Sequence, residues 1–417
     1  MDNGLLLSEK VLQQPIIQNL LTNPNRTFDL IICELFLTDA LFGFGQHYNA
    51  PVIVISPMGN NFLSSVVSGT PMPPSFVPNI LLPNTDRMNF IERALNLVGF
   101  TFQYLFYYFY WLPYQSSVYK KYFTSSTINL EEAMKNISLV LHNQHFSYGS
   151  PQPLLQNIIE VGGLHIQRQP KPLPLDIQKF LDDAHDGAIY FSLGSTFKSS
   201  GLSMDKLEAI LQIFSTMKQR ILWKFEVSSL KGKSDNILLK SWFPQNDVLA
   251  HPNIKLFITH GGMLGITEAI YHAKPVLAIP INYDQFINVA KAVKKGYALK
   301  LPLSQLTEDK FNSTLMEMLT NTKFSLTAKQ VSSCYRDQPL EPLENAIYWI
   351  EYVIRHKGAP QLRSNALDLN FIQYHSLDSI FVIYGGLFLV LFLLCQWFKN
   401  NLFKVFRIKS VHKRKIY

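Results

Sequence analysis

A histidine, three glycines and a glutamate occupy fixed positions in Phe257-Ile-Thr-His-Gly-Gly-Met-Leu-Gly-Ile-Thr-Glu268, ahead of Pro275-Val-Leu-Ala-Ile-Pro280 and Asp284-Gln285. The pattern predicts a buried strand, a glycine-rich turn, a helix N-terminus, a second buried strand and a polar loop. Gly261, Gly262 and Gly265 let backbone amides come close to an anion, which the positive end of the helix dipole favours. His260, at the strand end, can donate to a phosphate oxygen. Glu268, about two helical turns further on, can accept from ribose hydroxyls. Gly-Gly alone fits the strand-to-helix turn of any α/β protein. The whole ordered set suits a diphosphate with a sugar attached.

Those residues need a frame, and the rest of the chain predicts one. Short β-rich apolar runs alternate with helical-period segments, as in a parallel sheet flanked by helices. In the first half the clearest strands are 28–33, 52–56 and 137–142. Between the second and third lies an aromatic, proline-punctuated insert, roughly Pro71 to Phe123. Its Tyr and Phe residues either line an apolar acceptor pocket or form a helix packed on the sheet or touching a membrane surface. Gln169-Pro-Lys-Pro-Leu-Pro174 reads as a stiff, solvated hinge. Beyond it, 188–195 opens a second set of strands with 221–225, 237–240, 256–259 and 276–279, and a helix over 204–217 separates the first two. That is the content of a doubly wound domain. Glu344 to Arg355 has the period of an amphipathic helix.

With 417 residues, 47% of them apolar, the chain can bury one or two substantial cores. Its net charge of +8 is concentrated at the end, in Lys399, Lys404, Arg407, Lys409, Lys413, Arg414 and Lys415. The remainder is close to neutral and has no basic groove interleaved with aromatics, which argues against a nucleic-acid partner. Cys33, Cys334 and Cys395 have neither metal spacing nor the makings of a disulfide framework. Ser379 to Phe398 carries no charge and, at 1.5 Å per residue, spans about 30 Å, the thickness of a hydrocarbon core. With the basic tail after it, the positive-inside tendency puts 399–417 in the cytosol and the larger domain across the membrane. Asn25, Asn136 and Asn312 each begin an Asn-x-Ser/Thr acceptor, in keeping with a lumenal face. Met1 to Gln14 has no apolar core of signal-peptide length, so the expectation is that the natural N-terminus lies upstream of this sequence.

Upstream of the glycine turn stands Trp242-Phe-Pro244-Gln245-Asn-Asp247-Val-Leu-Ala-His251-Pro252. Taken with 257–285, this resembles the donor motif of the UDP-glycosyltransferase family, whose animal members include the UDP-glucuronosyltransferases. The likeness runs from about Phe28 to the C-terminus and has an insect-like flavour. It implies an α/β fold of two facing Rossmann-like domains, of the GT-B type. Here they would be 1–168, incomplete and on the acceptor side, and 169–365, which binds the donor. A single C-terminal transmembrane helix at 379–398 would follow, and the helix near 344–355 would pack back toward the first domain. The tail Lys413-Arg-Lys415-Ile-Tyr417 resembles a dilysine retrieval signal, which implies a single-pass protein of the endoplasmic reticulum.

The resemblance also assigns roles. Trp242 would stack on uracil, Gln245 would contact base and ribose, Glu268 the ribose hydroxyls, and Ser195 a phosphate oxygen. His260 and the turn of Gly261, Gly262 and Gly265 would hold the diphosphate, and Asp284 and Gln285 the hydroxyls of the transferred sugar. The UDP-sugar is a co-substrate, and no metal or other cofactor is implied. Where vertebrate relatives often carry Asn in the turn, this chain has Met263-Leu264, which removes a polar contact near the phosphates. The family's base is a histidine near the N-terminus, oriented by an acid whose counterpart is Glu34, with Asp39 a second candidate. No histidine precedes residue 34, and His47 reads as part of a surface helix. The expectation is therefore a membrane-anchored enzyme that moves a hexosyl or glucuronosyl group to small lipophilic acceptors with inversion, as in detoxification. As written, the chain would have little or no turnover. Two alternatives stand beside it: a non-catalytic UDP-sugar-binding partner of intact enzymes, in homo- or hetero-oligomers, and a membrane scaffold with a vestigial fold.

Overall fold

A computed structural model describes residues 6–413, apart from 196, 228 and 229. Arg414 to Tyr417, and with them most of the retrieval-signal reading, lie outside the described residues. Among the described residues, ten strands form two parallel sheets. The first has the order β1 (Ile31–Glu34), β2 (Val52–Ser56), β3 (Ile137–His142), β4 (Ile158–Glu160). The second contains β5 (Ala188–Ser192), β6 (Arg220–Lys224), β7 (Ile237–Lys240), β8 (Ile254–Thr259), β9 (Val276–Ala278) and β10 (Ala298–Lys300). Its order is β10-β9-β8-β5-β6-β7, so the chain changes direction of winding between β5 and β8. In open α/β sheets the crevice beyond the carboxyl ends of two such strands is where ligands bind.

Strand residues alternate between two cores, as a pleated strand requires. Tyr190, Leu222, Phe257, Val276 and Ala278 face one helical layer. Ile189, Phe191, Ile221, Trp223, Ile258 and Leu277 face the other. Aromatic rings stiffen both sides: Tyr190 stacks on Phe257 with centroids 5.2 Å apart, and Phe191 on Trp223 at 5.1 Å. Burial on both faces explains why these segments are near-continuous apolar runs. The helix Pro342–Arg355 returns to the first sheet, where Ala346 and Val353 pack with Ile53, Leu139 and Leu141. Residues up to Ser364 consequently form one compact unit that holds both sheets.

Strand boundaries differ from the sequence expectation in places. The first strand begins at Ile31 rather than Phe28, because its ladder starts where the Ile31 amide donates to Pro51 O. β4 and β10 were not foreseen. Each is only three residues long, too short for a period-two pattern to register. The aromatic insert resolves into helices Phe90–Phe106 and Leu112–Tyr122 joined by a π-helical turn, Tyr107–Trp111. The first of these helices buries only Asn96, whose carboxamide accepts from the Asn79 amide and donates to the carbonyls of Pro74 and Val77. Phe90, Ile91, Val98 and Phe102 are all exposed.

Asn365–Tyr417 is a second compact unit. It contains a long helix, Leu377–Lys413, in which Leu377–Asn401 has a mean hydropathy of 2.3 and no buried residue. By length and composition this segment can cross a membrane.

Candidate functional site

The carboxyl ends of β5 and β8 bring two glycine turns together. Gly194 follows β5 with φ +86°, and a Cβ there would stand 2.6 Å from the His260 ring. Gly261 follows β8 with φ +87°, and a Cβ there would run into Val289. Both positions need glycine for conformation and for space. His260 is thus clasped between two backbone turns. Burial and, secondarily, the charge of Lys224 push its imidazole down to about 4, so it is neutral at pH 7. Ser195 is exposed in the turn after Gly194.

The helix Met263–Tyr271 starts immediately after Gly262, and no side chain caps it. Its first amides have no intrahelical acceptor, which makes this end suited to an anion. Gly265 lies inside this helix rather than in the turn before it, and a Cβ would meet Gln245 and Phe257 at ordinary distances. Its small size is not a steric necessity there.

Glu268 occupies the second turn of the same helix and is buried. Gln245 Nε2 donates to its carboxylate, while Gln245 Oε1 accepts from Tyr190 Oη at 3.2 Å. Burial first, and the charge of Asp247 to a lesser extent, push the Glu268 carboxyl up to about 7 against the pull of the Gln245 bond. Trp242, three residues before Gln245, is 69% exposed. The Lys224 ammonium lies 5.5 Å from its ring centroid and donates to Gly194 O at 2.5 Å.

Asp284 precedes the helix Gln285–Lys295, and burial raises its carboxyl above the usual range. Asn288 Nδ2 donates to Asp284 Oδ2 at 2.7 Å and to Gly261 O at 3.2 Å, tying the aspartate to the glycine turn. Gln285 Oε1 accepts from the amides of Ile281 and Asn282 at 2.8 and 2.9 Å, which fixes the preceding loop. Sequence reasoning missed Lys224 and Asn288. The first sits at the end of an apolar strand and the second inside an amphipathic helix, positions that carry no motif.

The two acids of the first sheet have different surroundings. Glu34 ends β1, an edge strand, and its side chain is exposed. Asp39 is buried, and its Oδ2 accepts from Tyr107 Oη at 2.9 Å and Trp111 Nε1 at 3.1 Å. The π turn brings both donors to one oxygen, and burial pushes the carboxyl up to about 6. His47 ends the short helix Gly43–His47, edge-on to Tyr48 and Phe123.

Comparison with known proteins agrees with this fold. A family described as UDP-glucoronosyl and UDP-glucosyl transferase matches residues 28–415. A relative named UDP-glucosyltransferase 2 from Dactylopius coccus is 38% identical over 358 residues, 85% of this chain and 69% of the relative. UDP-glucuronosyltransferase 2B1 of Rattus norvegicus is 36% identical over 75% of this chain, which spans 58% of that relative. Among solved structures, a UDP-glucose: anthocyanidin 3-O-glucosyltransferase in complex with UDP superposes with a TM-score of 0.56 at 17% identity, covering 84% and 80% of the two chains. The glycosyltransferase VinC in complex with DTDP also gives 0.56, at 14% identity over 85% and 79%. The fold is that of these two-domain GT-B glycosyltransferases, and with most of its length matched the chain belongs to the UDP-glucoronosyl and UDP-glucosyl transferase family.

Proposed function

We propose that the crevice beyond β5 and β8 binds a UDP-sugar and that the chain transfers its hexosyl or glucuronosyl group to a small lipophilic acceptor. The observation that carries this reading is the convergence at one switch point of an uncapped helix N-terminus, a clasped neutral His260 and the Gln245–Glu268 pair. The amides of Met263 and its neighbours, with one N–H from His260, would hold the diphosphate as it departs. Because they are already oriented, no reorganisation accompanies the developing charge. Glu268 and Gln245 would take the ribose, Trp242 the uracil face, and Asp284 and Gln285 the sugar hydroxyls. This holds the anomeric carbon for in-line attack and so favours inversion. Of the two first-sheet acids, Glu34 is the better orienting acid, since Asp39 already spends its carboxylate on Tyr107 and Trp111.

We further infer that Leu377–Asn401 anchors the protein in the endoplasmic-reticulum membrane with the larger unit lumenal and the basic tail cytosolic. Asn25, Asn136 and Asn312 are all exposed, as glycan acceptors must be. Calorimetry of UDP with the detergent-solubilised chain tests the donor site, with binding expected to weaken at least tenfold in Glu268→Ala. Equal affinity in that variant would sink the assignment. Product formation from UDP-glucose or UDP-glucuronate separates an enzyme from a partner that only binds.

A further inference from the structure

Glu268, which the donor site needs as an acceptor, has only one of its carboxylate oxygens engaged among the described residues. Gln245 Nε2 donates to Oε2. Oε1 faces His165 Nε2 across 3.9 Å, a separation beyond hydrogen-bond reach by about 1 Å. That nitrogen is shielded from solvent and has no hydrogen-bond partner among the described residues. Leaving it unsatisfied is costly, and the open carboxylate oxygen offers it an acceptor.

The backbone presents His165 rigidly. It lies in the turn 161–166 after β4, closed by the Leu164 amide donating to Val161 O at 3.1 Å and the Ile166 amide to Gly163 O at 2.9 Å. Asn143 Oδ1 accepts from the Gly163 amide at 3.2 Å. From the helix Thr322–Arg336, Tyr335 Oη donates to Gly162 O at 2.6 Å. Gly163 has φ +92°, and a Cβ there would run into Tyr335. Leu164 packs against a core of the first sheet and Ile166 against one of the second, so both sheets fix the imidazole between them.

Burial holds the His165 imidazole below its usual range, against the pull of the Leu264 carbonyl, so the ring is neutral at pH 7. A neutral imidazole carries one N–H, and that N–H bonds an ionised oxygen more strongly than a protonated acid. The other groups facing the carboxyl are Gln245 and Asp247 from the helix Gln245–Ala250 and Tyr190 from β5. Tyr190 Oη is already turned to Gln245 Oε1, and the charge of Asp247 opposes ionisation. Gln245 and His165 are left to favour the ionised form. The geometry points to His165 as a positioning residue: as the Nε2–H tautomer it closes on Glu268 Oε1 and holds the carboxylate ionised and aimed at the ribose hydroxyls. The inference rests on the donor-site reading above and adds to it a residue from the segment that joins the two sheets.

Calorimetry on the full chain in detergent would compare UDP with 2′,3′-dideoxy-UDP, which keeps the base and the diphosphate and lacks the hydroxyls at issue. His165→Phe keeps the bulk of the ring and removes the N–H. It is expected to weaken UDP about tenfold at pH 7 and to leave the dideoxy nucleotide within about twofold. UDP affinity should rise with pH as Glu268 ionises, and the midpoint of that rise should move up by about half a pH unit or more in the variant. His165→Gln, which restores an N–H, should recover most of the affinity. Equal loss of both nucleotides, or an unmoved pH profile, would leave His165 a purely structural role and overturn the proposal. If UDP fails to bind the unmodified chain, the donor reading falls and denaturant unfolding decides the pair by itself. The pH above which stability stops falling then moves up in His165→Phe if the N–H acts on Glu268, and stays in place if it does not. Should His165→Phe not fold, His165→Leu makes the same comparison.

Discussion

At the scale of single residues, burial of the Glu268 carboxyl costs stability, a cost that the proposed donor-binding role would explain. Its carboxyl has an ordinary value of 4.5 unfolded and is pushed up to about 7 by burial in the fold. Between those two values the folded state holds more protons than the unfolded one, so stability falls as pH rises through that window and is flat above it. Glu268→Gln removes the charge but keeps a group that can bond Gln245. It should unfold at the same denaturant concentration as the unmodified chain near pH 4.5, and be more stable at pH 8 by up to roughly 3 kcal/mol. UDP affinity should move the other way, because a neutral amide is a weaker acceptor for ribose hydroxyls. A variant with unchanged stability at both pH values would show that the carboxylate is not desolvated. Lys224 gives a complementary case. Lys224→Met loses the bond to Gly194 O and the charge over Trp242, and should weaken UDP about tenfold or more, with the difference shrinking as salt is raised. Calorimetry at two ionic strengths checks this.

At the scale of elements, a helix that follows the second sheet in the chain packs on the first. Pro342–Arg355 covers one face of the first sheet, and Val353 is fully buried there against residues from β2 and β3. Val353→Ala should cost about 2 kcal/mol in denaturant unfolding. Glu351→Ala, on the exposed side of the same helix and paired with Arg355, should stay within about 0.5 kcal/mol of the parent. A loss no larger in Val353→Ala than in Glu351→Ala would mean that packing on the sheet does not hold the element, since alanine raises helix propensity at both positions. The 3.6-residue period of this helix was legible in the sequence, as were the longer buried strands, because a long repeat averages over exceptions. The residues that complete the site were not. Lys224 and Asn288 act through partners about 30 residues away, Gly194 and Gly261 respectively. Such pairings arise from topology and leave no spacing to read. The motif residues were legible because the turn, the helix start and its second helical turn are local.

At the scale of the molecule, charge and hydropathy divide the chain at Leu377–Asn401, and the proposed orientation puts the two parts on different sides of a bilayer. Leu377–Asn401 is 25 residues long, about 37 Å as a helix, so it exceeds a hydrocarbon core of about 30 Å and is long enough to span one with some tilt. Seven basic side chains and no acidic ones follow from Lys399 onward, and moving them across the bilayer would be costly. The acceptor asparagines all precede the helix, and each is exposed, Asn25 and Asn312 on the outer surface of helical layers or loops and Asn136 just ahead of β3. If the basic end stays in the cytosol, those asparagines enter the lumen and meet the glycosylation machinery. Expressed in microsomes behind an added signal sequence, the chain should therefore resist alkaline extraction and shift in mobility on glycosidase treatment. A protease added outside should remove only the basic end. Ending the chain at Ser364 should release it on alkaline extraction, provided an added signal sequence brings it into the lumen. Unmodified acceptors together with a fully digested larger unit would reverse the orientation, and with it the compartment in which the donor must be supplied.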